Sequence, residues 1–227
     1  STSTKDKRSL NTIIKDYLGQ LKEGLSIMFK SFISKLLYGA IILNLVSAGA
    51  VAVFPAFGEA IGGAQYVGFL LMSLSLGSLT GALLAPMMKL EHFPLGKLFA
   101  YGYLFSGSLW ILSVLMPTAW LTIIVYAIAW IPAGALNVLI FTMLQKTAPR
   151  HLTGRIFTAA TSLSGIAAPI GSLLGGSLGM MINSGLVIVL CGVIVLFVSI
   201  GWLLTSEVRK LPATITLDEN SLVPSAS

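Results

Sequence analysis

The sequence predicts an all-α integral membrane protein, a bundle of six transmembrane helices, and three observations predict it. The first is composition: 56% of the 227 residues are hydrophobic, with only 14 Lys or Arg and 8 Asp or Glu, and the mean hydropathy is +0.91. A soluble domain carries about 25% charged residues; the 10% found here leave too little polar surface to face water. The second is a set of six apolar runs, residues 36–54, 66–88, 98–116, 120–144, 156–182 and 186–204, none of which contains Asp, Glu, Lys, Arg or His. Each is near the roughly 20 residues that a helix needs to cross hydrocarbon. The third is where the cations fall. All 14 lie before run one, between runs two and three, between runs four and five, or after run six, whereas residues 55–65, 117–119 and 183–185 hold none. Lys and Arg near span ends are retained on the cytoplasmic side, so both termini are expected there. Topology therefore accounts for the net charge of +6, and nothing is left to argue for a nucleic-acid partner.

Taken in order, residues 1–35 form a cytoplasmic or interfacial linker. Leu10, Ile13, Ile14, Tyr17, Leu18, Leu21, Leu25, Met28 and Phe32 recur near helical spacing with lysines between them. This is the pattern of an amphipathic helix lying in the bilayer interface or packed on the inner face of the bundle. The first residues hold neither an initiator Met nor a signal-like apolar stretch, so the chain is expected to be a segment of a longer protein. The six runs are expected to be helical, since an open strand would leave backbone groups unpaired in lipid, and the runs lack the alternation of a barrel strand. Residues 205–227 form a cytoplasmic tail; after Pro212 it is polar, acidic at Asp218 and Glu219, and expected to be disordered. Trp120 and Tyr66 at outer span ends, with Tyr38, Tyr101 and Trp202 at inner ends, fit interfacial belts.

No constellation of a soluble enzyme is present. His92 and His151 sit in loops without Cys or paired acids at ligand spacing, and Cys191 is alone in an apolar run, so neither a metal site nor a disulfide is expected. The chain has no G-x-S-x-G elbow and no phosphate loop, so no cofactor is expected and hydrolysis of ATP by this segment is excluded. The informative residues are small or polar and lie inside the spans. Run two carries Gly77-x3-Gly81, and run five carries Gly171-x3-Gly175-x3-Gly179. Such spacing serves either static close packing or faces that slide against each other. Pro132 in run four and Pro169 in run five each free a backbone carbonyl at membrane depth. Asn44 and Ser47 in run one, Asn137 and Thr142 in run four, and Thr161, Ser162 and Ser164 in run five are polar at span depth, and all of them but Ser162 are candidate cavity residues. The hydroxyls can bond back to their own helices, whereas each Asn needs partners for several donors and acceptors, from neighbouring helices or from cargo. Trp110 and Trp130, with Phe141 and Met143, are candidates for an apolar pocket or for lipid-facing positions.

The loop after run four reads Pro149-x-x-Leu152-x-Gly154-Arg155-Ile156-Phe157 and opens a Gly-rich span with Ala168-Pro169-Ile170-Gly171; Ser206-Glu207-Val208-Arg209-Lys210-Leu211 follows the last span. On these motifs, residues from about 21 to 211 resemble the second half of the major facilitator superfamily fold, in its drug:proton antiporter branch, which includes macrolide-efflux-like permeases. The family's loop motif G-x3-D-R-x-G-R-[KR] has only a reduced counterpart in Gly81, Gly96 and Lys97, without the Asp and the first Arg. The resemblance implies that the six runs are helices seven to twelve of a twelve-helix fold, with an upstream six-helix half as partner in a bacterial cell membrane. It implies export of small lipophilic or drug-like compounds by alternating access coupled to protons, with runs one, two, four and five facing the cavity or the partner half. It also makes Gly81, Gly96, Lys97, Pro132, Gly154, Arg155, Pro169, Gly171 and Gly175 gating or hinge candidates; Arg155 can equally be a topology-setting charge. Proton coupling needs an ionisable group shifted by burial. The six runs hold no carboxylate, so the coupling acid is expected in the upstream half or, within this chain, at Glu59 near the outer mouth. Two rivals remain: a six-span scaffold that does not transport, and an oligomeric channel, although no filter-like loop or charged ring is visible.

Overall fold

A computed structural model describes residues 34–148 and 153–218, together with Gly19, Lys22, Leu25, Ser26, Phe29 and Ser31. Most of the expected amphipathic helix over residues 10–32, the loop residues 149–152 and the end of the tail lie outside the described residues. Eight α-helices follow in the described chain: α1 Ser34–Ala52, α2 Phe54–Ile61, α3 Gln65–Met87, α4 Leu95–Val114, α5 Ala119–Thr147, α6 Thr153–Met181, α7 Ser184–Leu204 and α8 Ser206–Arg209. Their ends have local causes. Thr118 caps α5 through its hydroxyl, which accepts from the Leu121 N–H, and the Asn183 side chain caps α7 by accepting from the Gly185 N–H at 2.8 Å. α3 stops where Lys89 turns left-handed, at φ 51°.

Five of these helices, α1, α3, α5, α6 and α7, are long and apolar enough to cross a membrane. The run expected as the third span forms α4, 20 residues long. It falls short of the other five in apolar character because Lys97, two tyrosines and three serines dilute it. The loop expected over residues 55–65 holds α2 instead. Pro55 sits in its first turn, where a missing N–H costs nothing, and Phe54 and Phe57 bury its inner face.

The helices pack in three pairs, α1 on α6, α3 on α5 and α4 on α7, with α4 also on α5 and α1 also on α7. In each pair a glycine on either helix meets the partner's backbone. Gly171 lies against the Leu45 carbonyl and Gly175 against that of Gly49; Gly81 meets the Ile131 carbonyl and Gly134 that of Ser78; Gly107 and Gly192 face each other's carbonyls. A Cβ at any of these positions would enter the opposite backbone, so the glycines are what lets the axes approach. α3 and α6 bury little beyond such a stripe: Leu70, Ser73, Gly77, Gly81 and Ala85 on one, and Ile156, Ala159, Ala167, Gly171 and Gly175 on the other.

The order of contacts repeats itself. If α1, α3 and α4 form one unit and α5, α6 and α7 a second, exchanging the units turns the α1–α6 pair into α5–α3, returns α4–α7 to itself, and turns α4–α5 into α7–α1.

The described cations collect at one end of the bundle. Lys35 pairs with Glu207, which joins the start of α1 to α8, and Lys146 lies 4.0 Å from Glu91, which sets the end of α5 beside the α3–α4 loop. Residues 213–218, expected to be disordered, are structured. The tail forms α8 and then a strap in which the Leu95 N–H donates to the Pro212 carbonyl at 3.2 Å, and Ala213 bridges to Pro94. Val208, Leu211 and Thr214 are buried there. Val208 and Leu211 give this polar-looking segment apolar side chains to bury. Leu25 and Phe29 pack on the core, with the Phe29 ring 5.0 Å from that of Tyr38, so this part of the linker meets the bundle.

Candidate functional site

A cavity of about 270 Å³ lies in the half of the bundle nearer the cationic end. It draws on the first half of α1 and α4, the second half of α5 and the first half of α6, and Asn44, Asn137, Thr161 and Ser164 all line it. Four of the six candidate cavity residues, from three helices, thus come together on one concave surface. The rest of the wall is aliphatic and aromatic, with Ile41, Phe99, Tyr103 and Phe141 among its members, and no ionised side chain lines it. Phe141 is stacked on Phe157 at 5.8 Å.

The polar groups are not equivalent. Thr161 donates to the Phe157 carbonyl at 2.9 Å and Ser164 to that of Ala160 at 3.3 Å, so their protons are spent on α6 while their lone pairs remain as acceptors. Asn44 donates to the Ala40 carbonyl at 2.9 Å. It therefore bonds back to its own helix, as the hydroxyls were expected to, and keeps one carbonyl oxygen and one amide proton to offer. Asn137 is exposed and makes no side-chain hydrogen bond to a described residue, so its whole amide faces the hollow.

Two further hollows adjoin the first. A narrower one, about 110 Å³, continues toward the middle of the bundle past Asn44, Tyr103 and Asn137 to Ser47, Ser106, Trp110 and Trp130. Ser106, which the sequence analysis passed over, donates across the α4–α5 contact to the Ala129 carbonyl at 2.7 Å. Trp110, Tyr126 and Trp130 form an aromatic cluster with ring separations of 5.3 to 6.2 Å. Their indole N–H groups and the Tyr126 hydroxyl are sealed in without a hydrogen-bond partner among the described residues. The other hollow is shallower, and Asn137, Phe141, Thr142, Gln145 and Ser78 line it between α3 and α5. Thr142 donates to the Val138 carbonyl at 2.9 Å. Asn137 borders all three hollows. Met143, grouped with the pocket aromatics from sequence, is fully buried core.

The gating candidates divide by surroundings. Gly81, Gly171 and Gly175 are helix-contact positions, and Gly96 lies against the Val208 carbonyl and holds the strap to α4. Gly154 has open space where a side chain would be. Arg155 is half-buried in the first turn of α6, and Lys97 is exposed in the first turn of α4. Pro132 and Pro169 lie inside α5 and α6, each about a turn beyond cavity residues. Glu59 is exposed on α2, at the end away from the cations, and lines none of these three hollows. His92 contacts the Lys89 carbonyl through Nδ1 at 3.2 Å, and the described residues hold no cluster of three His, Cys, Asp or Glu that would bind a metal.

No family model matches this chain, and neither a curated protein nor a solved structure gives a match.

Proposed function

We propose that this chain is the six-helix half of a secondary transporter of the major facilitator kind, which exports small lipophilic or drug-like compounds by alternating access coupled to protons. The observation that carries the reading is the meeting of Asn44, Asn137, Thr161 and Ser164 in one uncharged, aromatic-walled cavity. Two three-helix units whose pairings survive exchange support it, because transporters of this class place their sites between such repeats. An apolar wall with a few neutral hydrogen-bonding groups suits cargo recognised mainly by burial. It does not suit a highly charged metabolite, whose desolvation nothing in the wall would offset. The six apolar runs hold no carboxylate and Glu59 lines none of the three hollows, so in this reading the coupling acid belongs to an upstream six-helix half, and the cationic end faces the cytoplasm of a bacterial cell.

Single cysteines at positions 44, 137 and 164, in a Cys191→Ser background joined to the upstream half, test it. In a transporter their labelling by a membrane-impermeant maleimide changes at least severalfold between conditions that favour inward and outward states. In a six-span scaffold, the reading favoured by reciprocal glycine contacts alone, labelling is the same in both.

A further inference from the structure

A fourth hollow, about 410 Å³ in volume, opens on the outside of the bundle between α3, α4 and α5, and the cavity reading does not use it. Its floor is Pro132, Ala135 and Leu136 of α5, and its walls are Leu84 of α3 and Leu98 and Gly102 of α4. The lack of a side chain at Gly102 and the short one at Ala135 recess the surface there. Phe93 closes the end nearer the cations, and Lys97 and Tyr101 are the only lining residues with a polar side chain. Lys97 is exposed, and the ion pairs formed by described residues engage Lys35 and Lys146 instead.

From this combination we propose that the groove is a binding site for one anionic phospholipid of the leaflet at the cationic end, its acyl chain between α3 and α4 and its phosphate on Lys97. Two of the three helices that form the groove, α3 and α5, are apolar enough to span, and apart from Lys97 and Tyr101 the lining is apolar throughout, so a guest must be apolar along its length. Lys97 stands in the turn where α4 leaves the loop, at the level where a chain lying in the groove carries its headgroup. Basic pockets between helices at the cytoplasmic surface hold anionic headgroups in this way. A second copy of the chain fits less well, since a two-fold axis through the groove would bring Lys97 against its own counterpart.

Native mass spectrometry of the full chain released from detergent tests this, with dioleoyl phosphatidylglycerol and dioleoyl phosphatidylcholine offered in equal amounts. One phosphatidylglycerol is expected to be retained in preference to phosphatidylcholine. Lys97→Gln should lower that preference about fivefold, the ratio for one cation near an anionic lipid surface, while Lys210→Gln in the strap leaves it unchanged. Gly102→Leu, which fills the groove and keeps the charge, should abolish retention at unchanged helix content; if helix content falls, Leu84→Phe fills the groove from the facing helix. Glycerol phosphate, the headgroup without its chains, should not compete. The proposal is overturned by equal retention of the two lipids, by equal losses with Lys97→Gln and Lys210→Gln, by retention that survives filling of the groove, by competition from glycerol phosphate, or by a dimer that dissociates when the groove is filled.

Discussion

At the scale of single residues, two polar side chains that line the same hollow do opposite work. Ser106 is buried and spends its proton on the Ala129 carbonyl across a helix contact, whereas Asn137 is exposed and spends nothing on a described residue. Ser106→Ala should therefore lower stability by about 0.6 kcal/mol, the average for an interhelical hydrogen bond in a membrane, read as a lower unfolding midpoint in mixed micelles. Asn137→Leu should leave that midpoint unchanged or raise it, yet weaken cargo binding about three- to tenfold, the worth of one lost hydrogen bond. Equal effects of both variants on stability would remove Asn137 from the site. Composition exposed Asn137 at once, because an amide inside an uncharged run stands out. Ser106 did not stand out: serines are common in these spans, and a hydroxyl that bonds across a contact looks the same in sequence as one that bonds back to its own helix. Thr142 shows the same blindness, since it was grouped with Thr161 by depth but lines a different hollow.

At the scale of helices, α6 offers its own control. Gly171 and Gly175 press on the carbonyls of Leu45 and Gly49, while Gly165 and Gly176 have open space where a Cβ would stand. Gly171→Leu should cost about 1–3 kcal/mol through overpacking, and Gly165→Ala and Gly176→Ala should gain about 0.5–1 kcal/mol each by ordering the helix, all read as shifts in the unfolding midpoint. A uniform response along α6 would mean that α1 does not seat there. The four-residue spacing made Gly171 and Gly175 legible, but spacing cannot name the partner helix. The strap was illegible for another reason: between Ser206 and Asp218 the apolar residues are too few to look like an element, and they gain value only because the α3–α4 loop lies beneath them. Gly96→Leu, which forces a side chain into the Val208 carbonyl, should release the strap. Trypsin would then cut at Arg209 and Lys210 at least tenfold faster, with the bundle intact.

At the scale of the whole molecule, the six apolar runs gave the order of the six long helices, five of them apolar enough to span, because hydrocarbon leaves the backbone no other way to satisfy its hydrogen bonds; the short α2 and α8 lie outside those runs. Their pairing was not written in the same code, since lipid-facing and helix-facing surfaces are equally apolar and only the small-residue stripes distinguish them. That pairing has a consequence for assembly. Nearly all of the packing runs between the unit α1, α3, α4 and the unit α5, α6, α7; within the first unit, α3 and α4 scarcely touch each other, and neither packs extensively on α1. Each unit alone would leave its glycine stripes facing lipid, where they lose their close contacts and gain nothing. Two fragments, residues 1–117 and 118–227, are therefore expected to be unstable when expressed singly and to recover each other when expressed together, co-purifying one to one on a tag carried by either fragment. Gly171→Leu in the second fragment should reduce that recovery at least fivefold, because the α1–α6 contact spans the cut. A first fragment that is protease-resistant and monomeric by itself would show that its three helices hold one another, and the interlocked arrangement would fall.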